Sequence, residues 1–122
     1  MSNLKIVKTF STASAIAGQR FVKLDSEGVV SLATDTAAPI LGVTDLGRSD
    51  AGALGIALSG NGMQIELGAA LSAGDYVTAG ADGVAVAAVV GQHRAGRLLE
   101  SGSTGDLVLY IPQDVVHSIN AV

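Results

Sequence analysis

The chain reads Ala-Gly-Gln-Arg-Phe-Val-Lys-Leu-Asp-Ser-Glu-Gly-Val-Val-Ser-Leu-Ala over residues 17–33 and Ala-Gly-Asp-Tyr-Val-Thr-Ala-Gly-Ala-Asp-Gly-Val-Ala-Val-Ala over residues 73–87. Each stretch has an Ala-Gly start, an apolar run, an acidic turn ending in Gly-Val and a second apolar run. Equivalent glycines, such as Gly18 and Gly74, lie about 55 residues apart. Because acidic residues followed by Gly favour tight turns between strands, we interpret the two stretches as a duplicated β-hairpin.

The repeat continues beyond the hairpins. A strand at 39–45, a Gly/Ser/Asp loop and a strand at 53–59 follow the first hairpin. A strand at 96–100, a Gly/Ser loop and a strand at 106–111 follow the second. Each unit is therefore a hairpin, a strand, a loop and a strand, and we expect the two units to form pseudo-symmetric halves of one barrel. Two copies are too few for a solenoid.

The 122 residues predict a single all-β domain, a small antiparallel barrel or sandwich. Helix signals are poor, because Gly and β-branched residues recur at short intervals; we expect at most short helical turns at 12–17 and 86–93. Asn61-Gly62 and Asp82-Gly83 predict tight hairpin turns, since both pairs tolerate positive φ. We predict strands near 4–10, 20–24, 28–33, 39–45, 53–59, 62–67, 75–79, 83–88, 96–100 and 106–111.

Both ends of the chain fall outside the repeat. We predict an N-terminal arm at 1–9 and a C-terminal arm at 112–122, the latter apolar for a free tail. The first arm alternates lysine with apolar residues, a pattern able to add a strand to the exposed edge of another chain. The same pattern fits the first strand of the chain's own sheet, and both interpretations stay open. The candidate contact residues for a partner are Leu4, Lys5, Ile6, Val7, Lys8 and Phe10.

Composition argues against several classes of protein. The net charge is −4 with no basic run, so the charge pattern of a nucleic-acid binder is missing. No apolar stretch approaches the roughly 18 residues of a membrane span, and the first residues lack the apolar block of a secretory signal. The absence of cysteine excludes disulfides and thiolate metal sites. We therefore expect a soluble protein made in a cytosol-like milieu, or assembled into a particle there.

No catalytic constellation is evident, and we predict neither an enzyme, a cofactor nor a metal site. Ser59 comes nearest to a nucleophile, but Ala57 and Asn61 stand where a nucleophile elbow needs glycine, which disfavours a small hydrolase. His93 and His117 are the two histidines, and neither has an acidic neighbour in sequence. A metal or general-base site needs several convergent groups.

Several segments, in order along nearly the whole chain, resemble the tailed-phage capsid cement (head decoration) proteins. The resemblance implies a small β-rich protein on the outside of an icosahedral head, commonly a trimer, that clamps neighbouring major capsid subunits after the shell expands. It implies a virion protein made in the host cytoplasm, without catalytic residues. It does not itself assign contact residues, and our hypothesis is that the candidate contact residues of the N-terminal arm meet the capsid. The segments that carry it are the opening residues 1–10, Phe21-Val22-Lys23, Pro39 to Asp45, Ala57-Leu58-Ser59-Gly60, and Leu71 to Thr78 with Asp82-Gly83.

A carrier domain of the lipoyl or biotinyl type is the alternative, because such domains are also duplicated β structures with Gly-Asp-x-Val phrases. They present a lysine at a hairpin tip. The tips here are Asp25-Ser26-Glu27-Gly28 and Gly80-Ala81-Asp82-Gly83, and Lys23 is near one turn but not at it.

Overall fold

The computed structural model describes residues 5–34, 40–45, 47, 50–60, 63–89 and 93–116. These residues form ten strands and one short 3-10 turn, so the all-β prediction is confirmed. The strands are β1 (Lys5–Thr12), β2 (Phe21–Ser26), β3 (Val29–Leu32), β4 (Gly42–Thr44), β5 (Gly52–Gly60), β6 (Met63–Glu66), β7 (Tyr76–Ala79), β8 (Ala85–Ala87), β9 (His93–Leu98) and β10 (Leu107–Val116).

The first half is a closed five-stranded barrel in the order β1-β3-β2-β4-β5. β5 runs antiparallel to β1 over its whole length, from Lys5 opposite Gly60 to Thr12 opposite Gly52. The barrel closes where β1 lies parallel to β3, with Thr12 opposite Val30. The other neighbouring pairs of the barrel are antiparallel, as predicted. A closed ring with an odd number of strands cannot alternate direction throughout, so one neighbouring pair has to be parallel.

The second half repeats this pairing. Its strands form a separate sheet in the order β6-β10-β9-β7-β8, in which β6 takes the place of β1. The expectation that the two units are halves of one barrel is therefore wrong, because the first half closes by itself. A parallel bridge joins Leu67, just after β6, to Ala85 in β8, and it corresponds to the Thr12–Val30 pair of the barrel. The repeat thus comprises five strands per half rather than the predicted four. The fifth strand could not be recognised from the sequence, because β1 and β6 occupy equivalent positions in the fold but have few residue types in common.

No helical turn is present among the described residues of the two segments in which one was expected. Thr12 ends β1, and residues 13–17 contain bends and an isolated bridge residue instead of a helix. In the second expected segment, residues 86–87 belong to β8 and His93 begins β9. The turn at Asp82-Gly83 is present, as a 3-10 turn in which both residues have positive φ, near 59° and 76°. The predicted Asn61-Gly62 turn lies outside the described residues.

Two apolar clusters stabilise these halves. One fills the barrel, with Phe10, Val22 and Ile56 among its members. The other joins the outside of the barrel to the second sheet, where the Phe21 and Tyr110 rings meet edge to face with their centroids 5.7 Å apart. Because this second cluster draws residues from both halves, the halves share one core.

Polar contacts reinforce the junction between the halves. One guanidinium nitrogen of Arg20 lies 3.2 Å from Glu66 Oε1, and another donates to the carbonyl of Asp82 at 3.0 Å. The backbone N–H of Glu66 donates to the carbonyl of Gln19 at 3.1 Å. The two halves therefore have a fixed relation to one another, which positions their outer surfaces. None of the helical segments in the described part of the chain is long and apolar enough to cross a membrane.

Candidate interaction surfaces

The first half of β1 is exposed on both faces. Ile6 and Val7 are 61% and 45% exposed, and Lys8 and Thr9 are exposed as well. A register shift between Ile6 and Val7 interrupts the regular pairing with β5. A strand inside a barrel would bury every second side chain, as β1 does from Phe10 onward. Residues 6–9 therefore project beyond the barrel core, and we call them the β1 projection.

The β1 projection also has an open backbone edge. Residues 5–10 pair with β5 on one side, whereas β3, on the other side, reaches only Ser11 and Thr12. Among the described residues, no strand pairs with residues 5–10 on that second side. An edge of this kind presents backbone N–H and C=O groups that can take up an added strand.

The structure divides the candidate contact residues into three groups. Ile6, Val7 and Lys8 are exposed in the β1 projection, and the backbone of Lys5 pairs opposite Gly60. Phe10 is buried inside the barrel, so it contributes to the core instead of the surface. Leu4 lies outside the described residues.

The two arms predicted at the termini are partly strands. Residues 5–9 belong to β1 and Pro112–Val116 to β10, where they pair within the chain's own sheets. Of the two interpretations of residues 4–10, the structure shows the first strand of the chain's own sheet for residues 5–10. Residues 1–4 and 117–122 lie outside the described residues, and for them the arms stay a prediction.

A second surface, which sequence reasoning missed, lies on the outer face of the second sheet. Tyr76, Arg97 and Ile111 stand opposite one another on β7, β9 and β10, so their side chains share a face. Leu99 and Leu107 continue this face and are 51% and 47% exposed; Ile111 is 43% exposed. We call these five residues the outer face. They come from three segments of the chain, and only the strand register brings these segments together.

A cation–aromatic cluster lies at one end of the outer face. The guanidinium carbon of Arg94 is 3.6 Å from the centroid of the Tyr76 ring, and that of Arg97 is 5.3 Å from it. The Arg97 Nε–H donates to the carbonyl of Gly74 at 3.1 Å. Tyrosine and arginine, together with tryptophan, are enriched among the few residues that contribute most of the binding energy at protein interfaces.

The residues weighed for catalysis and metal binding lie on separate strands where the structure describes them. His93 begins β9, Ser59 lies in β5, and His117 is outside the described residues. In the described part of the chain, no group of three or more His, Cys, Asp or Glu is placed to hold a metal ion. A small cleft near Thr44 and Met63, at the junction of the halves, has room for about one water molecule.

Neither hairpin tip presents a lysine. Lys23 lies in β2, before the tip, and its Nζ is 3.5 Å from a carboxylate oxygen of Asp25. The same oxygen accepts a hydrogen bond from the Ser31 hydroxyl at 2.9 Å. The other tip is the 3-10 turn Ala81–Gly83, which is acidic.

No family model and no curated protein matches the sequence. Among solved structures, the chain is similar to the N base of the head fibre gp8.5 of bacteriophage phi29, with a TM-score of 0.70 and 20% identity. The match covers 93% of this chain and 100% of that one. The chain has the fold of a phage head-fibre base. The resemblance to phage head proteins is thereby confirmed at the level of the fold.

Proposed function

We propose that this protein is a structural component of a bacteriophage head, a decoration or cement protein. It binds the outside of the shell and bridges major capsid subunits as a homotrimer, after synthesis in the host cytoplasm. The observation that carries the proposal is the similarity in fold to a phage head-fibre base over 93% of the chain. The sequence resemblance to cement proteins, drawn from separate segments, points to the same class.

The β1 projection supports a docking role. It combines exposed Ile6 and Val7, the cation Lys8 and an open strand edge. Apolar side chains next to unpaired backbone groups suit the addition of a strand from a partner, since main-chain hydrogen bonds give affinity and side chains give specificity. The partner we propose for this surface is the major capsid protein.

Co-sedimentation with phage heads tests the proposal. Purified protein is mixed with expanded heads that lack decoration, and the pellet is assayed for bound protein. Saturable binding to heads is expected. Ile6→Asp should reduce occupancy about tenfold, because it introduces a charge where apolar contact and strand addition are proposed. Val89→Asp is the matched control, since Val89 is 58% exposed and lies in the other half.

Two results would contradict this function. If the wild-type protein does not pellet with heads at any concentration, capsid binding is wrong. If Ile6→Asp and Val89→Asp bind equally well, the β1 projection is not the contact. Deleting residues 1–9 is a poorer test, because the deletion removes five residues of β1 from the barrel.

The carrier-domain alternative has less support from the geometry. Lys23 is held by Asp25 before the tip and does not stand at the turn itself. Coexpression with lipoyl and biotinyl ligases, followed by intact-mass measurement, tests this alternative directly. An added lipoyl or biotinyl mass would establish it, and an unmodified chain would remove it.

A further inference from the structure

The outer face of the second sheet differs from the same face of the first half. In the barrel, the equivalent row is Phe21, Val43 and Ala57, which stand opposite one another as Tyr76, Arg97 and Ile111 do. All three barrel residues are buried in the core shared by the halves. The fold therefore already uses this face of one repeat as an interface. The outer face keeps three aliphatic side chains about half exposed.

The composition of the outer face favours a partner that carries a carboxylate. Arg94 and Arg97 are the only lysine or arginine residues from 61 to 122, and both lie at the Tyr76 ring. Arg97 is exposed, and only its Nε–H is engaged by the carbonyl of Gly74, so the outer edge of its guanidinium can form paired hydrogen bonds with a carboxylate. Glu100, an acid near this face, is engaged with the chain itself, since its Oε1 accepts the Leu109 N–H at 3.0 Å.

The β2–β3 tip of the same chain, residues 24–28, has the complementary chemistry. Leu24 is 50% exposed, and Asp25 and Glu27 are exposed beside it. Asp25 is engaged by Lys23 and Ser31. Glu27 has no hydrogen bond or ion pair to another described residue, so its carboxylate is available to another molecule. The tip offers an aliphatic side chain and a carboxylate to a face that offers aliphatic side chains and guanidiniums.

We propose that the outer face docks the β2–β3 tip of a second copy of this chain, with Glu27 at Arg97 and Leu24 against Ile111. The two surfaces differ, so the contact is head-to-tail, and the homotrimer of the proposed function requires that it close into a ring of three copies. Between the halves, the outside of the barrel packs on the inner face of the second sheet. In a second copy, the barrel interior would be the equivalent of that inner face. The barrel's own core fills this interior, so the outer face has to dock elsewhere. This inference rests on the homotrimer of the proposed function and names the contact that forms it.

Sedimentation equilibrium of the full-length protein tests the contact. The wild type is expected to form a trimer that weakens as salt is added, because the charges are exposed. Arg97→Glu and Glu27→Arg should each weaken association at least tenfold, and the double variant should regain much of it. Thr34→Glu is the control, because it adds a charge at an exposed residue at the other end of β3 from the tip and should leave association unchanged. Circular dichroism verifies that each variant is folded.

Several outcomes would overturn the inference. The inference is wrong if the wild type stays monomeric at every accessible concentration. It is also wrong if neither charge reversal changes the association of the oligomer. A dimer that is lost with Arg97→Glu and retained with Glu27→Arg would show that the outer face meets itself. Failure of this contact is separable from failure of capsid binding. A monomer that pellets with heads contradicts only the ring, and a trimer that does not pellet contradicts only the docking to heads.

Discussion

At the scale of single residues, Tyr110 is the largest side chain in the shared core, where it meets the Phe21 ring. Burial raises the pKa of its phenol well above the usual value, because the charged phenolate would lose its hydration. The neutral phenol is therefore the form that the fold accommodates, and the residue links the stability of the fold to alkaline pH.

We expect the free energy of unfolding to fall steeply above about pH 10. The unfolded chain loses the phenol proton near that pH, whereas the folded chain retains it. The contribution of Tyr110 is fully present below this pH and is lost as the pH rises further. Urea unfolding of the wild type and of Tyr110→Phe, from pH 8 to 11, measures the effect. The Phe variant should show a shallower alkaline decline, and identical slopes would contradict the assignment.

Gly42 and Gly96 occupy equivalent places in the two halves and require the absence of a side chain. A Cβ at Gly42 would collide with the carbonyl oxygen of Ala57, and one at Gly96 with that of Ile111. In both cases the obstacle is backbone of the neighbouring strand, which cannot rotate away.

Gly42→Ala and Gly96→Ala should each destabilise the protein by about 2 kcal/mol or more, because the strands must separate to admit the methyl group. Thermal unfolding checks this, with Ala51→Gly at an exposed position as the control. If either alanine variant melts within a degree of the wild type, the close approach of the strands is not as described.

At the scale of elements, β1 has two parts with different environments. Phe10 and Thr12 are buried, and the strand closes the barrel against β3 at Ser11 and Thr12. Residues 6–9 are exposed and carry the proposed capsid contact. The alternation of lysine and apolar residues suits both parts, which explains why the pattern alone left an arm and a strand as alternatives.

Removal of residues 1–9 should lower the melting temperature, because five ladder residues of β1 are lost from the pairing with β5. Removal of residues 1–4, which leaves β1 complete, is the control and should change it by less. Differential scanning calorimetry compares the two truncations. An unchanged melting temperature for the longer truncation would show that the barrel does not depend on this part of β1.

At the scale of the whole molecule, the shared core joins the barrel to the second sheet. Phe21, on the outside of the barrel, packs against Tyr110 of the other half, and Arg20 binds Glu66 and Asp82 across the same junction. The chain should therefore unfold as one unit, despite its two similar halves.

Phe21→Ala should cost about 3–5 kcal/mol, because it leaves a cavity in the shared core. Unfolding should remain a single transition. Val89→Ala, at an exposed position, should change stability by less than about 0.5 kcal/mol. Urea unfolding followed by circular dichroism and by tyrosine fluorescence tests both points. Two separate transitions in the wild type would contradict the shared core.

Most strands could be predicted, because their turns have local chemistry. The glycines at 28 and 83 have positive φ, which explains why both hairpins are recognisable. Strand ends were harder: β9 begins at His93, not near 96, and β1 extends to Thr12. The residue at which each strand begins or ends is set by its pairing with a strand that is distant in sequence, and no local residue pattern specifies this pairing. The helical turn expected at 12–17 was wrong, because Ile16 is drawn into the barrel core.

The candidate site was only partly accessible from the sequence. The alternation of lysine with apolar residues indicated β1 as a candidate contact. The alternation of side chains between the two faces of a strand does not, however, indicate where along the strand the barrel core ends. Burial of Phe10 and exposure of Ile6 and Val7 follow from how far β3 reaches along β1. The cluster of Arg94, Arg97 and Tyr76 could not be found by spacing, since its members come from two strands.

The sequence by itself determined the duplicated hairpins, the all-β class and the resemblance to phage head proteins, because turn residues and short-range apolar patterns act within a few residues. Only the tertiary structure decided that β1 and β6 belong to the repeat, that the barrel closes through a parallel pair and that the halves share a core. It also decided which outer face stays exposed. These features depend on contacts between residues tens of positions apart, and their energies come from burial that no single segment specifies.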